Sequence, residues 1–156
     1  MVVYIVAVGR LKSSPLREAC QEYQQRFQRY MKFELREVRD GNRRDNQAHH
    51  ARRIEGESLL KAAPGDAVFV ALTRDGQEMT SADFAGRLEE WQRGNRDVAF
   101  VIGGAHGLDA AVLDAADQKL SLSPMTLPHE LARLTLLEQL YRACTIIRGE
   151  PYHKGG

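Results

Sequence analysis

Three runs of this chain, residues 2–8, 67–72 and 97–102, are apolar at almost every position and rich in Val, Ile and Ala. A strand with one wet face alternates polar and apolar residues, whereas a run without alternation is covered on both faces. Helix-length segments lie between these runs. Residues 14–30 carry Pro15 in the first turn, and 47–62 are closed by Pro64-Gly65. Residues 81–93 place Phe84, Leu88 and Trp91 on one face, with Ser81 as the expected cap and Gly94-Asn95 as the stop. Residues 33–38 alternate as an edge or half-buried strand does, and Asp75-Gly76 reads as a turn. Asp109 is placed to cap a short helix reaching about 117, and residues 120–122 form a brief strand. A long helix follows over 130–148, apolar at 131, 134, 137, 140, 141, 144 and 147. Strands alternating with helices predict an α/β fold: a three-layer sandwich around a mainly parallel sheet of five to six strands, with residues 1–156 as a single domain.

A chain of 156 residues can bury a core without staples. The run at 2–8 is too short to span a membrane and has no basic flank before it, so it reads as a core strand and not a leader. Cys20 and Cys144 are far apart and lack a CxxC partner, which fits reduced thiols and a cytoplasmic protein. The net charge of +1 hides an asymmetry. Residues 1–53 hold 12 Lys and Arg against 6 Asp and Glu, and the remainder holds 10 against 15. A basic first third suits a polyanion such as RNA, although basic helix faces are also simply solvated.

Two loops and the tail could carry chemistry. Gly103-Gly104-Ala105-His106-Gly107 follows an apolar strand, where open parallel sheets bind ligands and where glycine lets backbone approach closely. The spacing is neither GxGxxG nor GxxxxGK[ST], so a tight turn is the competing reading. The loop Ser121-Leu122-Ser123-Pro124-Met125-Thr126-Leu127-Pro128-His129 combines two prolines with small hydroxyls. Such a rigid backbone suits an adenine gripped by Leu and Met, or serves as a plain connector. The tail Pro151-Tyr152-His153-Lys154 sets a phenol, an imidazole and a cation in a row. Arg26-Phe27-Gln28-Arg29-Tyr30 interleaves cations and aromatics, as a surface for unpaired bases does, unless Phe27 is core. Arg133 and Arg142 stand on the last helix, and Arg43, Arg44, Arg52 and Arg53 form a solvated or phosphate-facing group. No HExxH, no Cys/His cluster with ligand spacing and no GxSxG elbow occurs, so neither a metal site nor a serine hydrolase is expected.

In combination these features resemble the SPOUT-class RNA methyltransferases, and within them the small stand-alone enzymes that methylate a pseudouridine in large-subunit ribosomal RNA. The matching residues are Val6-Ala7-Val8-Gly9, Ile102-Gly103-Gly104 with Gly107-Leu108, Leu122-Ser123 with Met125-Thr126 and Pro128-His129, Glu138-Gln139-Leu140-Tyr141-Arg142-Ala143, and Pro151-Tyr152-His153-Lys154. The likeness covers the whole chain, and His106 stands where that family more often has Glu or Asn. It implies a C-terminal trefoil knot, a homodimer, and S-adenosyl-L-methionine bound in the knot. It further implies a cofactor pocket from Leu72, Gly103, Gly104, Leu122, Ser123, Pro124, Met125, Thr126 and Leu127. Tyr152, His153, Arg142, Lys154 and, less centrally, His129 would handle the substrate, with the tail ordering over the cofactor and basic residues of a second subunit completing the site. The implied reaction is methylation of N(3) of a pseudouridine, on an assembled ribosome. A non-catalytic RNA-binding or ribosome-associated factor of the same fold is the alternative. A flavodoxin-like nucleotide enzyme is disfavoured by the missing phosphate motifs.

Overall fold

The computed structural model describes residues 1–41 and 47–154. Arg43 and Arg44 lie outside the described residues. The elements run β1 (Val2–Val8), α1 (Ser14–Phe27), β2 (Lys32–Val38), α2 (Ala48–Ala62), β3 (Val68–Glu78), α3 (Ser81–Arg93), β4 (Val98–Ile102), α4 (Ala110–Ala115), β5 (Gln118–Ser121) and α5 (His129–Arg148), with a last 3-10 turn at Pro151–His153. The five strands form one sheet in the order β2-β1-β4-β3-β5, and every neighbouring pair is parallel.

The apolar runs lie where their patterning requires. β1 and β4 occupy the middle, and all five residues of β4 are buried. Val3, Ile5 and Ala7 join one core with Cys20 and Phe27 of α1, Phe84, Leu88 and Trp91 of α3, and Leu136, Leu137 and Leu140 of α5. Val6 and Val8 join a second core with Leu59 of α2 and Val112 of α4. The sheet is therefore the middle of three layers. β2, at the edge, alternates between exposed and half-buried along most of its length, as its sequence does.

Several local expectations are corrected. Asp75-Gly76 is not a turn: β3 continues through it to Glu78. Both Leu72 and Gln77 pair with Leu120, so residues 73–76 form an irregularity around β5. Gly76 permits this, because a Cβ there would lie 2.7–2.8 Å from the backbone of Lys119 and Leu120. Turn-forming residues lost to parallel pairing with a strand more than forty positions away, which local sequence cannot display. The cap of α3 is Thr80 and not Ser81: Thr80 Oγ1 accepts the Asp83 N–H at 3.1 Å and donates to Asp83 Oδ2 at 2.7 Å. α1 stops at Phe27, which is fully buried, so its ring is unavailable for stacking on RNA. β5 begins earlier than expected, and α4 ends at Ala115. Asp117 then ties the chain to β3, its carboxylate accepting from the Phe69 N–H at 2.8 Å and its own N–H donating to Phe69 O at 2.9 Å.

Candidate active site

The C-terminal ends of β4 and β5, together with the middle of β3, open into a cleft of about 490 Å³. Its walls include Leu72, Gly103, Gly104, Leu122, Ser123, Met125, Thr126 and Leu127, with His129 at the start of α5. Both bare-backbone loops therefore face one cavity, as open parallel sheets favour. Pro124 is exposed and is not part of the wall.

The turn after β4 is shaped by its glycines. A Cβ on Gly103 would meet Gly107 C at 2.7 Å and Gly107 O at 2.8 Å. Gly107 adopts φ +78°, and its N–H returns to Gly104 O at 3.1 Å. Only glycine can bring these strands of backbone so close. The loop after β5 is held by its hydroxyls: Ser121 Oγ donates to Ser123 O at 2.9 Å, and Ser123 Oγ accepts the Met125 N–H at 3.0 Å. Arg74, from the irregularity in β3, donates to Thr126 Oγ1 at 3.3 Å. Met125 is left 76% exposed at the mouth. Sequence reasoning missed Thr73, Arg74 and Asp75 because it ended the strand at Leu72 and read Asp75-Gly76 as a turn, and Arg52 because it looked like one more surface cation.

The first turn of α5 is pinned from below. Arg133 is 2% exposed, donating through Nη1 to Glu37 Oε2 at 2.7 Å and through Nη2 to Gly9 O at 2.9 Å. One turn earlier stands His129, at the start of α5 and in the cleft wall.

The remaining predicted residues gather elsewhere. Arg142 donates to Glu138 Oε1 from Nε at 2.9 Å and from Nη2 at 2.6 Å, and lies over the Tyr152 ring at 4.9 Å. Tyr152 packs edge-on against Tyr141 at 4.6 Å. Its hydroxyl meets Glu138 Oε1 at 3.1 Å and the Tyr23 hydroxyl at 3.3 Å. Burial, the bond to Tyr23 and the Glu138 charge together push the Tyr152 pKa well up, so the phenol keeps its proton and acts as a donor. The hydrogen bond to Glu138 raises Arg142 further, holding the guanidinium charged. His153 has a buried Nδ1 with no hydrogen-bond partner among the described residues, and Lys154 is exposed. At about 1.5 Å per residue, Arg142 stands about 20 Å along α5 from His129. Within one protomer the tail group and the cleft are therefore not brought together. Among the described residues no cluster of three His, Cys, Asp or Glu could hold a metal, and no helix is long and apolar enough to cross a membrane.

A parallel sheet whose last strands open between a glycine turn and a proline loop defines a class. The family model described as "Predicted SPOUT methyltransferase" matches residues 1–153, and the chain belongs to this family of methyltransferases. Relatives carry a more particular label. The "Ribosomal RNA large subunit methyltransferase H" of Anaeromyxobacter sp. (strain Fw109-5) is 53% identical over 155 residues, spanning 99% of this chain and 100% of the relative. The protein of the same name from Gemmatimonas aurantiaca is 47% identical, again over 99% of this chain and 100% of its own length. Among solved structures, a probable methylase family protein from Haemophilus influenzae Rd KW20 superposes with a TM-score of 0.56 at 14% identity, covering 98% of this chain and 70% of that one. TrmJ from Z. mobilis ZM4 gives 0.53 at 17% identity, covering 92% and 70%. These two similarities speak for the fold alone.

Proposed function

We propose that this chain transfers a methyl group from S-adenosyl-L-methionine to N(3) of a pseudouridine in large-subunit ribosomal RNA, acting in the cytoplasm as a knotted homodimer on an assembled particle. The observation that carries the reading is the single cleft lined by both bare-backbone loops. Its fit to an adenosyl group rests on two features. The walls offer the Leu72, Leu122 and Leu127 side chains to an apolar ring, and the glycine turn leaves main chain free to face its edge. The bound cofactor supplies an already activated methyl group, so the protein's task is alignment, charge handling and proton removal.

Each predicted residue has a task suited to its surroundings. The imide N–H of the base must lose its proton for N(3) to attack, and His153 is the predicted residue for handling the base at that step. Arg142, kept charged by Glu138, and Lys154 stabilise the resulting imide anion or grip phosphate. Tyr152 donates a hydrogen bond, since its proton is retained. His129 meets the substrate from the cleft side. A homodimer resolves the separation along α5, because one protomer's cleft can then receive the other's tail. Basic residues such as Arg26 and Arg29 at the end of α1 supply attraction to RNA.

Calorimetric titration with S-adenosylmethionine checks the cofactor, and mass spectrometry of ribosomal RNA from cells with and without this protein checks the product. Heat of binding and loss of one methylated pseudouridine are expected. Absence of binding, with RNA affinity retained, would instead identify a non-catalytic RNA-binding factor.

A further inference from the structure

Glu55 is a buried charge with no task in the reaction so far. It stands on α2 and is 3% exposed. Oε1 accepts the Gly41 N–H at 2.9 Å, whereas Oε2 is fully buried with no hydrogen-bond partner among the described residues. Both oxygens rest against the glycine turn: a Cβ on Gly104 would lie 3.3 Å from each. Gly104 is part of the cleft wall and Glu55 is not, so the carboxylate sits directly behind that wall. Arg52, one turn earlier on α2, lines the cleft, yet no ion pair joins it to Glu55 among the described residues.

A carboxylate with one oxygen idle in the interior is destabilising, since it loses hydration without a full set of replacement bonds. One backbone bond to Gly41 could be made by Gln without a charge. What Gln cannot supply is a negative potential behind the turn. The proposed methyl donor is a sulfonium cation. When its S–CH₃ bond breaks, the bonding pair stays on sulfur, the methyl joins N(3), and the imide proton leaves to a base. The co-product is therefore a neutral thioether. Donor and co-product differ by one unit of charge at one atom, and a fixed anion in a low-dielectric wall discriminates between them.

We propose that Glu55 is an electrostatic positioning residue of the cofactor site, set behind Gly104 so that the cleft favours the cationic methyl donor over the neutral thioether left by transfer. The inference rests on the S-adenosylmethionine assignment. Its consequence is easier clearance of spent cofactor, with Gly104 standing between charge and cleft.

The test is calorimetry of full-length wild type and Glu55→Gln with S-adenosylmethionine and S-adenosylhomocysteine in parallel. The substitution is expected to weaken the donor about ten-fold more than the thioether, as loss of a nearby buried charge implies. Glu55→Asp, which keeps the charge, is expected to restore much of the preference. Equal weakening of both ligands, or no change in either, overturns the proposal and leaves Glu55 a structural residue. If wild type binds neither ligand, it is the cofactor assignment that fails. Should Glu55→Gln not fold, wild type labelled with ¹³C at glutamate carboxyls gives an independent reading. The donor should displace the Glu55 carboxyl resonance while the thioether leaves it in place, and identical behaviour with both overturns the proposal.

Discussion

Gly103 shows how much a single hydrogen can decide. Its missing side chain is what lets the turn close on Gly107, and Gly103→Ala would drive a methyl into backbone at 2.7 Å. We expect that variant to fold with the turn displaced and to lose at least about ten-fold in S-adenosylmethionine affinity by calorimetry, a displacement of backbone being worth more than 1.4 kcal/mol at such a site. Tyr30 gives a pH-dependent counterpart. Its hydroxyl donates to Glu150 Oε2 at 2.6 Å, and that bond, aided by burial, pushes its pKa from 10.0 up to about 12. An acid whose pKa is raised by folding stabilises the fold while protonated. Its contribution is whole below pH 10 and vanishes as pH rises through about 12. Denaturant midpoints across that window should fall for wild type and fall less for Tyr30→Phe. At this scale the sequence shows unevenly. Gly103, Gly104, Leu122 and Thr126 could be singled out as bare or kinked backbone after a strand, with a tight turn and a plain connector as competing readings, and only the family resemblance gave them a cofactor role. Glu55 could not be singled out, since a charged residue on a helix looks the same whether it meets water or a buried wall.

The elements were legible wherever one physical cause dominated. The unbroken apolar runs of β1 and β4 admit only a strand covered on both faces, and the 3.6-residue spacing of α5 admits only a helix with a wide buried face. β3 was misjudged past Leu72 because its second half is held by β5 and not by its own composition. The ends of α1 and α4 depended on capping detail that residue type sets loosely. Two substitutions probe the elements. Phe100 of β4 is fully buried, with ring centroids 6.0 Å from Phe84 and 6.1 Å from Trp91. Phe100→Ala should cost about 3–5 kcal/mol in chemical denaturation, because the strand and α3 cannot collapse into the void together. Thr80→Ala removes the cap of α3 and should cost about 1 kcal/mol with cofactor affinity unchanged.

For the molecule as a whole, layer order and parallel pairing followed from patterning, whereas the division of the site did not. α5 separates the cleft at His129 from the group around Arg142 and Tyr152, a spacing no sequence motif announces. Mixed dimers test whether the halves meet between subunits. Gly103→Ala chains carry a damaged cleft with an intact tail, and chains ending at Pro151 carry the reverse. If the halves come from different subunits, equal mixing should restore about a quarter of wild-type turnover, one of two sites working in half of the dimers. If both come from one subunit, the mixture shows no more than the average of the two parent variants. The strand order carries one more consequence. The centre of the sheet joins Val3 to Val98, so its two middle strands meet only after β2, α2, β3 and α3 have all been synthesised between them. During translation the early β1–β2 pair emerges with one flank unprotected, and that flank stays open until Val98–Ile102 follows to cover it.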